Sequence, residues 1–213
     1  YIVTIMSNNT DKDVGVNGEG DSIFNNTDVA NDDTNSSKKY VVEEFDNWDN
    51  MKLKKNVLRG IYSYGFEKPS PIQKKAIRPL ADGKDIIAQA QSGTGKTGAF
   101  SVGTLQVVDE TVNKTQAIIL SPTRELSRQI HSVLTSLGSI QKVRTQLLVG
   151  GTAIDEDISQ IRKEPPHIAV GCPGRVHDLL RRKHIVAKNV KLIVLDEADE
   201  MLSTGFKEQV YNI

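Results

Sequence analysis

Ala90-Gln91-Ser92-Gly93-Thr94-Gly95-Lys96-Thr97 stands between a short apolar run at 85–88 and a helix-forming stretch that opens at Lys96. Gly93 and Gly95, with the small side chains of Ser92 and Thr94, let consecutive backbone N–H groups turn inward on an anion. A helix beginning near Lys96 adds the positive end of its dipole. Lys96 brings a mobile point charge to the β- and γ-phosphates of a nucleotide, and the Thr97 hydroxyl is suited to magnesium. The general pattern has a glycine where this chain has Ala90. A glycine-rich turn before an ordinary helix is the plain alternative, but a strand before the loop and a helix after it are what a phosphate loop requires.

Outward from the loop, strand-like and helix-like stretches alternate. Apolar runs at 85–88, 117–120, 145–149, 167–170 and 192–195 are separated by helical patterns at 96–112, 123–137, 154–163 and 175–184. Two further helices precede them. One covers 51–64, with Leu53, Val57, Leu58 and Ile61 on one face. The other covers 71–83, with Ser70 as N-cap and Pro71 in the first turn. Strands that lack polar alternation and are joined by helices predict an α/β domain, its mainly parallel sheet covered by helices on both faces.

The run at 192–195 ends in Asp196-Glu197-Ala198-Asp199, with Asp196 100 residues beyond Lys96. Open α/β sheets bind ligands at the carboxyl ends of their strands, and two carboxylates there divide the work. Asp196 is placed to hold hydrated magnesium, and Glu197 to orient and deprotonate a water. Helix-capping acids at a strand terminus are the plain alternative. Pro122-Thr123-Arg124-Glu125-Leu126 and Cys172-Pro173-Gly174-Arg175 follow two other runs, and Gly150-Gly151 follows a third. Helix-start N–H groups, glycines that allow close approach and arginines suit a nucleic-acid backbone rather than its bases. Internal salt bridges are the alternative for Arg124 and Arg175, and Glu125 is as apt to position an arginine as to touch nucleic acid.

Composition sets the limits. The chain has 213 residues, 38% hydrophobic and 25% charged, with 27 basic and 27 acidic residues. Seven acidic against three basic residues through Lys39, a net of −4, leaves +4 on the remainder. One cysteine, Cys172, excludes an intrachain disulfide and suggests a reducing compartment. No apolar stretch approaches a membrane span, and Tyr1 to Met6 lacks the basic lead of a secretory signal. Residues 1–40 are rich in Asn, Asp and Thr. They are expected to be a disordered acidic tail, with order beginning near Val41. Three glycosylation-like triplets, at Asn8, Asn25 and Asn35, fall in it.

Asp196-Glu197-Ala198-Asp199 spells the name of the DEAD-box RNA helicases, and the chain from about residue 45 onward resembles that family. The resemblance implies an N-terminal RecA-like ATP-binding domain over 41–213. Gly65-Phe66-Glu67-Lys68-Pro69-Ser70-Pro71-Ile72-Gln73 is similar to the family's adenine-sensing segment, which makes Phe66, Lys68 and Gln73 nucleotide contacts. The Gln73 amide has donors and acceptors for an adenine edge, and Phe66 offers a ring. Taken singly, Phe66 reads as a core aromatic and Gln73 as a solvated helix residue. Trp48 stands where the family usually has an isolated Phe. Pro122, Thr123, Arg124, Glu125, Gly150, Gly151, Pro173, Gly174 and Arg175 match its RNA-contacting loops. Cys172 replaces the usual Thr with a poorer hydrogen-bond donor, which implies weaker RNA binding, and no partner base suggests a nucleophile there.

Within the family the stretches 58–70 and 196–207 are most similar to initiation factor 4A and its nuclear paralogues. The implied activity is ATP-dependent RNA unwinding with ATP and Mg2+, most plausibly in translation initiation. The implied partners are single-stranded RNA and scaffold proteins. A monomer in the cytoplasm follows, with the nucleus as the alternative location. The family's Ser-Ala-Thr segment and second RecA-like domain are not in this sequence, so a fragment with an exposed sheet edge and little turnover of its own is expected. The alternatives are a non-catalytic ATP- and RNA-binding module, or a paralogue acting in exon-junction marking or ribosomal RNA processing.

Overall fold

The structure, a computed structural model, describes residues 2–7, 44–203 and 205–213, the first of these as backbone. Six strands form one sheet: β1 (Ile2–Ser7), β2 (Ile86–Ala90), β3 (Ala117–Leu120), β4 (Thr145–Leu148), β5 (Ile168–Gly171) and β6 (Leu192–Asp196). Their spatial order is β2-β1-β6-β3-β5-β4, and every neighbouring pair is parallel. The helices are α1 (Lys55–Ser63), α2 (Pro71–Ala81), α3 (Lys96–Val107), α4 (Arg124–Gly138), α5 (Ile154–Lys163), α6 (Pro173–Arg181), α7 (Ala198–Ser203) and α8 (Lys207–Tyr211).

The two-residue period of the strands splits the interior into two cores. Ile119, Val170 and Val194 point to the side packed by Ile61, Ile77, Phe100 and Ile130 of α1 to α4. Ile118, Leu120 and Ala169 point to the side packed by Ile161, Val176 and Met201 of α5 to α7. Buried on both faces, β3 and β5 have no place for alternating polar residues, which is why their sequences read as unbroken apolar runs.

The five expected runs correspond to β2 through β6, but the amino terminus differs from expectation. Residues 1–40 were read as a disordered tail, yet Ile2–Ser7 is a strand inside the sheet, paired on both sides. Its β-branched Ile2, Val3, Thr4 and Ile5 fit a strand. They are masked in any composition average by the polar residues that follow. The rest of the expected tail, with its glycosylation-like triplets, lies outside the described residues.

Helix boundaries also moved, two of them by four residues or more. α3 stops at Val107 rather than 112 because Asp109 Oδ1 accepts the Thr111 N–H at 2.9 Å, closing a side-chain turn. The Gln116 side chain, wholly buried, also accepts the Asp109 N–H and donates to the Asp109 and Val112 carbonyls. α1 begins at Lys55 rather than 51, because Lys52 is left-handed (φ 52) and Lys54 is extended, its N–H donating to Gln106.

Candidate active site

β2 runs into the phosphate loop. Gly93 and Gly95 have φ of 80 and 97, the left-handed region that other residues enter at a cost. A side-chain carbon on Gly95 would also lie 2.8 Å from both Gln73 Nε2 and Ser70 Oγ. The reason for that closeness is a clasp. Gln73 Nε2 donates to the Gly95 carbonyl at 3.1 Å, and Gln73 Oε1 accepts the Ser70 N–H at 2.8 Å. Gln73 is therefore buried, neither a solvated helix residue nor an amide wholly given to a base. One N–H and one acceptor lone pair are left for a nucleotide, and the rest of the amide ties the start of α2 to the phosphate loop.

Phe66 sits beside this clasp, half-buried. Trp48 stacks on it with centroids 6.1 Å apart and planes at 14°, and Tyr64 meets its edge at 4.8 Å. Trp48 is wholly buried, so an aromatic ring fills this position, with its indole N–H left without a hydrogen-bond partner. Lys68 is exposed in the loop before α2, while Ser92 and Gly93 are exposed and Thr94 half-buried at the loop's mouth.

Lys96 and Asp196 are buried at 8% and 3% exposure. The Lys96 ammonium donates to the Ala90 carbonyl at 3.0 Å. Burial pushes the Asp196 carboxyl up from 3.8 to about 6. The Lys96 charge opposes that rise, and Glu197 adds to it. Lys96 and Asp196 thus act on one another at the same edge of the sheet. Sheet register says the same: Ile5 of β1 is level with both Ala88 of β2 and Asp196 of β6, so the two strand ends stand about 10 Å apart, two strand spacings.

Asp196 Oδ1 is buried without a hydrogen-bond partner. An orphan carboxylate oxygen facing a lysine and a phosphate loop fits a cation. Thr97, half-buried in the first turn of α3, is the hydroxyl at hand. Among the described residues no group of three or more His, Cys, Asp or Glu is poised for a metal. Magnesium takes one or two protein ligands and completes its shell with water and phosphate.

Glu197 follows at φ 53, left-handed without being glycine. The sequence reading missed its neighbour Glu200 one helical turn on. Burial, then a hydrogen bond with Glu197, then the Glu197 and Asp199 charges raise the Glu200 carboxyl above its usual value. The i, i+3 spacing on α7 is the signal that would have found it.

The second cluster lies along the same sheet edge, at the ends of β3, β4 and β5. Thr123 caps α4, its Oγ1 accepting the Leu126 N–H at 3.2 Å, and Pro122 is buried behind it. Arg124 is exposed and lies over Gly150 and Gly151. A side-chain carbon on Gly150 would meet its Nη2 at 3.5 Å, and one on Gly151 (φ 88) would collide with Nη1. The two glycines are therefore the bed of this guanidinium. Glu125 pairs with Arg128 at 3.0 Å, so the arginine it positions is not Arg124.

Arg175 has turned inward. It pairs with Asp157 and donates to the Thr152 carbonyl at 2.7 Å, with side chains 10% and 13% exposed. It ties α6 to the turn after Gly151 and to α5, which bears out the internal-bridge alternative. Pro173 opens α6, and Gly174 faces open space. Cys172 Sγ lies 3.6 Å from Ser127 Oγ, which shares a 2.6 Å contact with Ser121 Oγ. His167 is buried before β5, its Nδ1 accepting the Arg144 N–H at 3.0 Å, and offers the thiol no base.

A family model described as DEAD/DEAH box helicase matches residues 70–213. The ATP-dependent RNA helicase FAL1 of Mycosarcoma maydis is 52% identical over 166 residues, 78% of this chain and 42% of that protein. Eukaryotic initiation factor 4A of Drosophila melanogaster is 52% identical over 171 residues, 80% of this chain and 42% of that protein. A solved DEAD box protein from the hyperthermophile Methanococcus jannaschii superposes with a TM-score of 0.73 at 37% identity, over 79% of this chain and 46% of that one. S. cerevisiae Dbp5 bound to RNA and ADP BeF3 gives 0.70 at 37% identity, over 79% and 42%. The chain spans under half the length of the curated relatives it matches.

Proposed function

The chain belongs to the DEAD/DEAH box helicase family, and on that premise we propose that it is the ATP-binding, RNA-gripping RecA-like half of an ATP-dependent RNA helicase of the initiation factor 4A type. The observation that carries the reading is the buried pair Lys96 and Asp196, two opposite charges that act on one another beside the glycine-bearing loop. Lys96 and the amides of residues 93–97 hold the triphosphate. Asp196 Oδ1 and the Thr97 hydroxyl are the groups that would hold magnesium, which when bound screens the phosphate charge during transfer. Glu197 orients the attacking water and takes its proton. Gln73 links adenine recognition to the loop, because its amide already holds the Gly95 carbonyl.

RNA lies along the neighbouring loops. The α4 and α6 starts offer backbone N–H groups, Arg124 offers its charge, and Gly150, Gly151 and Gly174 allow close approach. Arg175 positions this surface instead of touching RNA. None of these groups reads a base, so binding is independent of sequence. The wider assignment to translation initiation, as a cytoplasmic monomer with scaffold partners, rests on the relatives named initiation factor 4A.

A binding module with little turnover is the second reading for the chain by itself, favoured by its span of 42% of the relatives' length. Titration of the chain with a fluorescent ATP analogue and magnesium, with RNA and DNA strands of equal length as competitors for a labelled RNA, tests both. Binding of ATP and preferential binding of RNA, with slow phosphate release, is the expected outcome. Absence of ATP binding, or equal affinity for DNA, overturns the assignment.

A further inference from the structure

Of the glycines at the start of α3, the backbone requires two and not the third. Gly93 and Gly95 are left-handed, whereas Gly98, in the first turn of the helix, is not. Glycine at a helical position weakens the helix relative to alanine, so the backbone gives no reason for it here. Space does. Gly98 is buried, and a side-chain carbon on it would lie 2.6 Å from Gln73 Nε2 and 3.2 and 3.3 Å from two carbons of the Phe66 ring.

The two neighbours would not yield equally. Phe66 has Trp48 stacked on it and Tyr64 against its edge, so the ring has little room to retreat. The Gln73 amide is the far end of a flexible side chain, held by the Ser70 N–H and the Gly95 carbonyl. An ordinary carbon contact is about 3.5 Å, so the amide would have to withdraw by about 1 Å. A side-chain carbon on Gly95 would lie 2.8 Å from the same nitrogen, so the amide sits across positions 95 and 98 of a single helical turn. Withdrawal from Gly98 therefore lengthens a hydrogen bond to Gly95 that is already 3.1 Å.

We propose that Gly98 is a specificity-determining residue for the base: the space left by its missing side chain seats the Gln73 amide and fixes where the amide's free N–H and free acceptor point. Adenine presents a donor beside an acceptor where guanine presents two acceptors. One N–H and one lone pair in set positions thus favour adenine, and a displaced amide loses that preorganised preference. The specificity role rests on the ATP-binding reading above; the seat itself does not.

Gly98→Ala in the whole 213-residue chain is the test, read with ribose-labelled ATP and GTP. The preference for ATP over GTP is expected to fall about tenfold. Competition by inorganic tripolyphosphate, which meets only the loop, should stay as it was, and the melting temperature should hold or rise because alanine favours the helix. In a Gln73→Ala background the same substitution should leave the base preference where it is, since no amide remains to displace. Unchanged base preference in Gly98→Ala overturns the proposal, as does an equal fall in the Gln73→Ala background. A lower melting temperature with weaker tripolyphosphate binding would mark general damage and overturn it too. The Gln73 side-chain amide signals in a proton–nitrogen correlation spectrum give a reading without nucleotide, and are expected to move in Gly98→Ala. If they move in a chain that binds neither nucleotide, the functional reading fails and the seat stands; if they do not move, the seat itself is refuted.

Discussion

The two ends of one sheet edge treat charge in opposite ways. At the β2-β1-β6 end, Lys96 and Asp196 are buried and act on each other, and burial raises the Asp196 carboxyl to about 6 against the pull of the Lys96 charge. At the β3-β5-β4 end, Thr123 and Arg124 are exposed, and Gly174 faces open space. Buried charges interact strongly and are little screened, as bond-breaking chemistry requires. Exposed charges grip any phosphate backbone and weaken with salt. On the proposed function, a single scaffold holds a reaction site and a non-discriminating grip side by side, and burial is what separates them.

The contrast can be broken most forcefully at Lys96. Lys96→Ala is expected to weaken ATP binding about a hundredfold, about 2.7 kcal/mol, with RNA binding in the absence of nucleotide unchanged in a filter assay. A parallel loss of RNA binding would mean the two ends are not separate. Arg175→Ala is expected next, destabilising the chain by about 2 kcal/mol in urea because it strands the Asp157 carboxylate. The double variant with Asp157→Ala should regain most of that loss. If Arg175→Ala instead leaves stability untouched and lowers RNA affinity, the arginine belongs to the grip.

Asp196 sharpens the comparison through pH. Its folded value of about 6 lies above 3.8, so the native chain holds this proton more tightly than the unfolded one. The stabilisation is complete below the ordinary carboxylate range and fades as pH rises through about 6, an effect on the order of 1 kcal/mol. Asp196→Asn should flatten that slope in melting experiments on the ligand-free chain, whereas magnesium-dependent ATP binding in the unaltered chain should strengthen over the same range. An unchanged slope in the variant would place the titration elsewhere. Smallest is Arg124→Ala, expected to weaken RNA binding about fivefold and to lower the salt slope by about 1, with ATP affinity intact. Gly151→Ala, which displaces the same guanidinium, should mimic it.

The sequence displayed the loop, the carboxylate pair and five of the strands because each is local: glycine spacing, an apolar run, a polar stop. It hid whatever depends on partners far along the chain. Arg175 reads equally well as a phosphate ligand or a salt-bridge donor until α5 brings Asp157 against it. Gln73 reads as an adenine contact alone until Gly95 is found within reach of its amide. β1 was the largest omission, since a six-residue strand is recognisable only when two unpaired edges await it. The early end of α3 was legible in principle from Asp109 and Thr111, a side-chain turn two residues apart.

Glu197 holds its backbone in the left-handed region at φ 53, a conformation that disfavours a side chain by about 1 kcal/mol. Glycine or asparagine would rest there more comfortably, so the position proposed to activate water is also one where the chain would gain ruggedness by giving up its carboxylate. Any search for heat-tolerant variants would therefore drift toward inert ones at this residue, and retention of glutamate under such pressure marks the trade of durability for turnover.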